Sequence, residues 1–263
     1  MSEKKELLIF SHIPKTAGST LGYIASKNYG NIYNFYRSKN PKGTSLREWV
    51  DEFNESLYSG TKYSDHPKYL QGHIGFGIHH FLNVRSYSYI TILRDPVERI
   101  ISHYYFMRKH KFKAALKMSL SEYINSNKFI TTDNLQVRFL SGLGWQSFSH
   151  KSINLYDNKV DIEYGKCSLE MLEIAKKNLL TYFTFGLQEK MDESLILFQK
   201  KFNWKELNTP SQRNVGKNKP AQNEIDQDII QKIGENNYLD SELYEYAKSI
   251  FSNQMEQESI SIC

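Results

Sequence analysis

The segment that most restricts the fold lies near the start of the chain. Leu7-Leu8-Ile9-Phe10 is a short apolar run, His12-Ile13-Pro14-Lys15-Thr16-Ala17-Gly18-Ser19-Thr20 follows it, and Leu21, Ile24 and Ala25 then recur at helical spacing. That order predicts a buried strand turning sharply into a helix. Such a junction aims backbone N–H groups and the positive end of the helix dipole at one point, which suits an anion and above all a phosphate. Pro14 fixes the exit from the strand, Gly18 is expected to let backbone approach a ligand, and Ser19 and Thr20 are expected to cap the helix or donate to phosphate oxygens. Lys15 adds a mobile positive charge. The turn is not the nucleotide-triphosphate loop G-x-x-x-x-G-K-[ST], because Lys15 precedes its only glycine. Taken alone, it also reads as an ordinary strand–loop–helix connection.

A chain of 263 residues can bury a substantial core, and no linker-like break divides it, so one domain over 1–263 is expected. The net charge of +5 fits an anionic ligand, with no nucleic-acid partner expected, since basic residues are scattered among acids. The two cysteines, Cys167 and Cys263, argue against a disulfide framework or a zinc site and for a reducing compartment. Only four apolar residues follow the charged N-terminus, too few for a signal-peptide core, and no window reaches the length of a membrane span. A cytoplasmic protein is expected.

Further along, Lys68 to His73 reads as a short strand, and Tyr87 to Leu93 as a longer one that stops at Arg94-Asp95-Pro96. Asp95 is placed as an N-cap, with Pro96 at the first helical position and Glu98 three residues after the cap. Helices are expected from Thr44 or Ser45 to Leu57, over Ser121–Ser126 and over Asp133–Ser141, the last stopped by Gly142. A helix Ser168–Leu179, a strand Tyr182–Leu187 and a helix Asp192–Phe202 form another unit, and two helices near Glu224–Gly234 and Ser241–Ser252 close the chain. Strands alternating with helices imply an α/β fold with a central, mostly parallel sheet flanked by helices, and ligands at the carboxyl ends of its strands. Lys15 to Thr20, His73 and Arg94 all fall at such ends. Arg94 and Ser102, two helical turns apart, could grip a second phosphate. An ion pair of Arg94 with Asp95 or Glu98 is the structural alternative.

With both junctions in view, the chain resembles the sulfotransferases that use 3′-phosphoadenosine 5′-phosphosulfate (PAPS). His12 to Thr20 is similar to their 5′-phosphosulfate loop, and Leu93-Arg-Asp-Pro-Val-Glu-Arg-Ile-Ile-Ser-His103 to their 3′-phosphate motif. The likeness is strongest to the carbohydrate group that includes heparan sulfate 2-O-sulfotransferases and bacterial relatives, and it extends through Asp133 to Gly142 and Asn214 to Pro220. It implies a single P-loop-like sulfotransferase domain in which Lys15, Thr16, Ala17, Gly18, Ser19 and Thr20 hold the 5′-phosphosulfate and Arg94 and Ser102 the 3′-phosphate. Lys217 and Lys219 would lie in a loop closing over the nucleotide, and 31–67 and 108–166 would be insertions on the acceptor side.

Sulfuryl transfer to a hydroxyl, of a saccharide or another small molecule, needs an acceptor for the hydroxyl proton and a cation at the departing phosphate. Lys15 is assigned to the second task, with no metal required. Of 8 histidines, His73 is assigned to the first, because in the resembling enzymes a histidine in a Gly-His setting is the proposed base. His12 is its rival but is expected to pin backbone, His103 is expected to point elsewhere, and His79 and His80 to be surface residues. A P-loop-type kinase or other NTPase, and a nucleotide-binding protein without catalysis, are the alternative readings.

Overall fold

The computed structural model describes residues 6–30, 32–35, 46–56, 68–143, 162–207 and 224–260. Five parallel strands, β1 (Leu7–Ser11), β2 (Ile32–Phe35), β3 (Tyr69–Gly72), β4 (Tyr87–Leu93) and β5 (Phe183–Leu187), form one sheet in the order β2-β3-β1-β4-β5. The expected mostly parallel sheet is thus wholly parallel among the described residues. Parallel neighbours need crossovers, and these cover both faces with helices.

Side chains alternate across β1. Leu7 and Ile9 enter one core with Tyr89 and Leu93 of β4, while Leu8 and Phe10 enter the other with Ile90 and Ile92. The second core is closed by α1 (Gly18–Tyr29), through Leu21, Ile24 and Ala25, and by α8 (Met191–Phe202). The helical spacing read in the sequence therefore marks the buried stripe, and each fully buried Leu or Ile in it contributes about 1.5–3 kcal/mol. The first core is closed by α7 (Leu169–Tyr182) and α10 (Tyr238–Ile260), with Trp49, Val50 and Phe53 of α2 (Leu46–Ser56) at its edge. A third cluster joins α3 (Pro96–Lys109) to α5 (Leu120–Asn125) and α9 (Gln227–Asn236).

The strand ends that matter are adjacent, because β1 lies between β3 and β4. Side chains tie them together: Ser11 Oγ donates to Ile74 O at 2.5 Å, Thr91 Oγ1 donates to Ser11 O at 2.8 Å, and His12 N donates to Gly72 O at 2.9 Å. Strand β2 was not expected. Its four residues lie at the sheet edge inside a polar stretch, too short for alternation to show.

Candidate active site

The loop after β1 is strained. Lys15 and Ala17 both adopt left-handed backbone, with φ of 73° and 63°, which costs on the order of 1 kcal/mol for each side-chain-bearing residue. The surroundings hold it there. The buried Thr16 donates its Oγ1–H to Ile13 O at 2.8 Å, so this hydroxyl clamps the loop upon itself.

One expectation about the loop is corrected, and Gly18 has a packing constraint beside the expected one. A Cβ at Gly18 would fall inside the His12 ring, so the glycine makes room for the protein's own imidazole. Ser19 and Thr20 do not cap α1. Its N-cap is Ala17, without a side-chain hydrogen bond, and both hydroxyl residues lie in the first turn. That turn carries no acidic residue, and although Thr20 N already donates to Ala17 O at 3.0 Å, the N–H groups of Gly18 and Ser19 and the positive dipole end suit an external anion.

His73 follows β3, and its Nδ1 lies 2.8 Å from His12 O. A carbonyl only accepts, so Nδ1 carries the proton and the lone pair is on Nε2. The His73 ring packs against His12, with centroids 4.7 Å apart, and His12 stacks on Phe10. Burial lowers the pKa of His73 below 6.5, although its bond to His12 pulls the other way. His12 is pushed well below 6.5, first by burial and then by the nearby His73 and Lys15 charges. Both rings are therefore neutral at pH 7. Lys15 falls from 10.5 to about 8, through burial first and then the charges of Arg94 and Lys109. Its Nζ rests 4.3 Å from the centre of the Phe106 ring on α3, a cation–π contact.

Arg94 meets the same loop from β4. Its Nη1 donates to Lys15 O at 3.1 Å, its Nη2 to Glu98 Oε2 at 3.2 Å, and its Nε stands 3.8 Å from Glu189 Oε1. The structural ion pair with Glu98 and the approach to the phosphate-type loop therefore coexist. Among the described residues its buried Nε has no hydrogen-bond partner, only the longer approach to Glu189. Gln136, on α6 (Leu135–Ser141), brackets the Arg94 backbone, accepting from its N at 3.0 Å and donating to its O at 2.8 Å. Asp240 of α10 in turn accepts from Gln136 N and Val137 N, capping α6. Ser102 lies on α3, partly buried. Lys217 and Lys219 lie outside the described residues.

The structure corrects the expectation for one other histidine and gives the partner of a second. His79 is buried, not on the surface, with Nδ1 2.8 Å from Tyr89 Oη, and burial lowers it to about 4. His103 turns toward Tyr123 of α5. Its Nδ1 lies 2.9 Å from Tyr123 Oη, and burial followed by the charges of Arg99, Lys15 and His73 lowers it to about 3. Gln136 and Glu189 were also missed, because the bonds of Gln136 to Arg94 and of Asp95 N to Glu189 Oε1 span 42 and 94 residues and no local pattern announces them.

An uncapped helix, a guanidinium and an imidazole meet at neighbouring carboxyl ends of an α/β sheet, the place where such folds take their ligands. The sequence matches the sulfotransferase family over residues 1–247, and the chain belongs to that family. It is 31% identical over 194 residues to human heparan-sulfate 6-O-sulfotransferase 1, covering 65% of this chain and 44% of that protein. The chicken (Gallus gallus) heparan-sulfate 6-O-sulfotransferase 2 is 31% identical over 188 residues, 64% of this chain and 45% of that one. The match thus spans less than half the length of these relatives, which are named for the 6-O position; the 2-O grouping remains a reading of the motifs.

Proposed function

We propose that the chain transfers the sulfuryl group of PAPS to a hydroxyl of a saccharide acceptor. Family membership and the heparan-sulfate relatives support the reaction class. One observation of the site supports the reading: Arg94 donates to the carbonyl of Lys15, so the two strand–helix junctions are neighbours instead of lying on opposite faces. In this reading the residues from Lys15 to Thr20 take the 5′-phosphosulfate, and Arg94 with Ser102 takes the 3′-phosphate. Lys217 and Lys219 remain proposals for the closing loop.

Chemically, the acceptor oxygen attacks sulfur, the bond from sulfur to the phosphate oxygen breaks, and its electron pair leaves on that oxygen. Lys15 stabilises this charge as ammonium. His73 takes the hydroxyl proton on Nε2, which its bond to His12 O keeps unprotonated beforehand. No step calls on a metal. We place the reaction in one cytoplasmic domain over 1–263, with 31–67 and 108–166 on the acceptor side.

A thermal-shift comparison tests the proposal. At 100 times its dissociation constant a ligand adds about 2.7 kcal/mol to stability, so 3′-phosphoadenosine 5′-phosphate should raise Tm while ATP with magnesium should not. The reverse order would make the chain an NTPase. A shift without transfer of labelled sulfate to any saccharide would make it a binding protein.

A further inference from the structure

One surface carries the whole net charge of the chain. Between Glu98 and Glu122 there is no acidic residue, and the stretch Arg108 to Lys117 holds five Lys and Arg, all exposed. Those five equal the net charge of +5, so elsewhere basic and acidic residues match in number. Large apolar side chains crowd the same stretch, with Phe106, Phe112 and Leu116 39%, 50% and 49% exposed.

The backbone brings them together. The chain reverses at His110 and Lys111, whose φ is 57°, and Phe112 N donates to Met107 O at 3.0 Å, beside the end of α3. Leu116 N donates to Phe112 O at 3.1 Å in the short α4 (Lys113–Leu116). Residues spaced four apart in one turn share a face. This surface borders the candidate active site, since Lys15 rests on Phe106 and feels the charge of Lys109.

We propose that residues 106–117 dock the protein onto an anionic phospholipid bilayer, with Phe112 and Leu116 entering the acyl boundary and the five cations facing the headgroups. A soluble anionic glycan would satisfy the cations, but Leu116 offers it neither a hydrogen bond nor a stacking face. Burying Leu and Phe in hydrocarbon is what favours them at such a place.

The test is sedimentation of the full chain with phosphatidylcholine vesicles, either pure or carrying about one-third phosphatidylserine, at physiological ionic strength. Binding is expected to the anionic vesicles alone, falling about fivefold in Lys113→Gln and at least about tenfold in the double variant Phe112→Ser/Leu116→Ser. Lys201→Gln, an exposed lysine on α8, should bind as the parent does. All these side chains are exposed, so Tm should not move. The proposal is overturned if the parent ignores anionic vesicles or binds neutral ones equally, or if Lys201→Gln weakens binding as much as Lys113→Gln does. It is also overturned if vesicle binding ignores Phe112 and Leu116 while dextran sulfate competes for the lysines, which would identify a glycan surface. No nucleotide is present, so the outcome is independent of the reaction proposed above.

Discussion

The two strand–helix junctions occupy equivalent places in the sheet and solve opposite problems. After β4 the helix is closed by its own residues: Asp95 Oδ1 accepts from Glu98 N at 2.9 Å, Pro96 opens the first turn and Glu98 lies within it. After β1 the helix has no side-chain cap and no acid in its first turn, and its approach passes through two left-handed residues. The first junction satisfies its dipole internally, so any anion there must be gripped by the Arg94 side chain. The second leaves its dipole end without an internal acid or side-chain cap and carries local strain, which in the proposed function serves the 5′-phosphosulfate.

Four experiments press on this contrast. The largest effect is expected from Lys15→Ala, which should lower turnover by about a thousandfold while the thermal shift with 3′-phosphoadenosine 5′-phosphate persists. Near-normal sulfate transfer would show that the open junction binds without stabilising the leaving oxygen. Arg94→Ala should weaken that nucleotide by about 10- to 100-fold in calorimetry, with little change for adenosine 5′-phosphate. Equal losses for both would mean that the capped junction does not distinguish the 3′ end.

The pH profile comes next. In the proposed mechanism His73 acts as neutral imidazole, and its pKa is lowered from 6.5, so activity should fall only below that value. In the same mechanism Lys15 acts as a cation, and its pKa is lowered to about 8, so activity should fall as pH rises through about 8. A rate that keeps climbing above pH 9 would remove Lys15 from the chemistry. The smallest effects are on stability. Asp95→Ala should cost about 1 kcal/mol in urea unfolding, and Ala17→Gly, which relieves a left-handed residue, should add up to about 1 kcal/mol. If the two changes have the same sign, the junctions do not differ as described.

The capped junction was legible because its chemistry is local: Asp95, Pro96 and Glu98 act within four residues of one another. Strands β1, β3, β4 and β5 were legible from apolar runs bounded by turn residues, and the family from the two phosphate-type motifs together. The open junction was read for its anion but not for its geometry. Ala17 as N-cap follows no propensity, and the need for glycine at 18 comes from the ring of His12, which sequence places six residues away and packing places on top. The buried setting of His79 and the bracket of Gln136 on Arg94 depend on partners 10 and 42 residues distant, beyond any local pattern.

His12 has a further consequence. Its N–H is given to Gly72, its carbonyl to His73, and its ring fills the hollow above Gly18. A single residue thus couples the loop after β1 mechanically to His73, and under the proposed function any change that tilts it would disturb affinity and proton transfer in the same stroke.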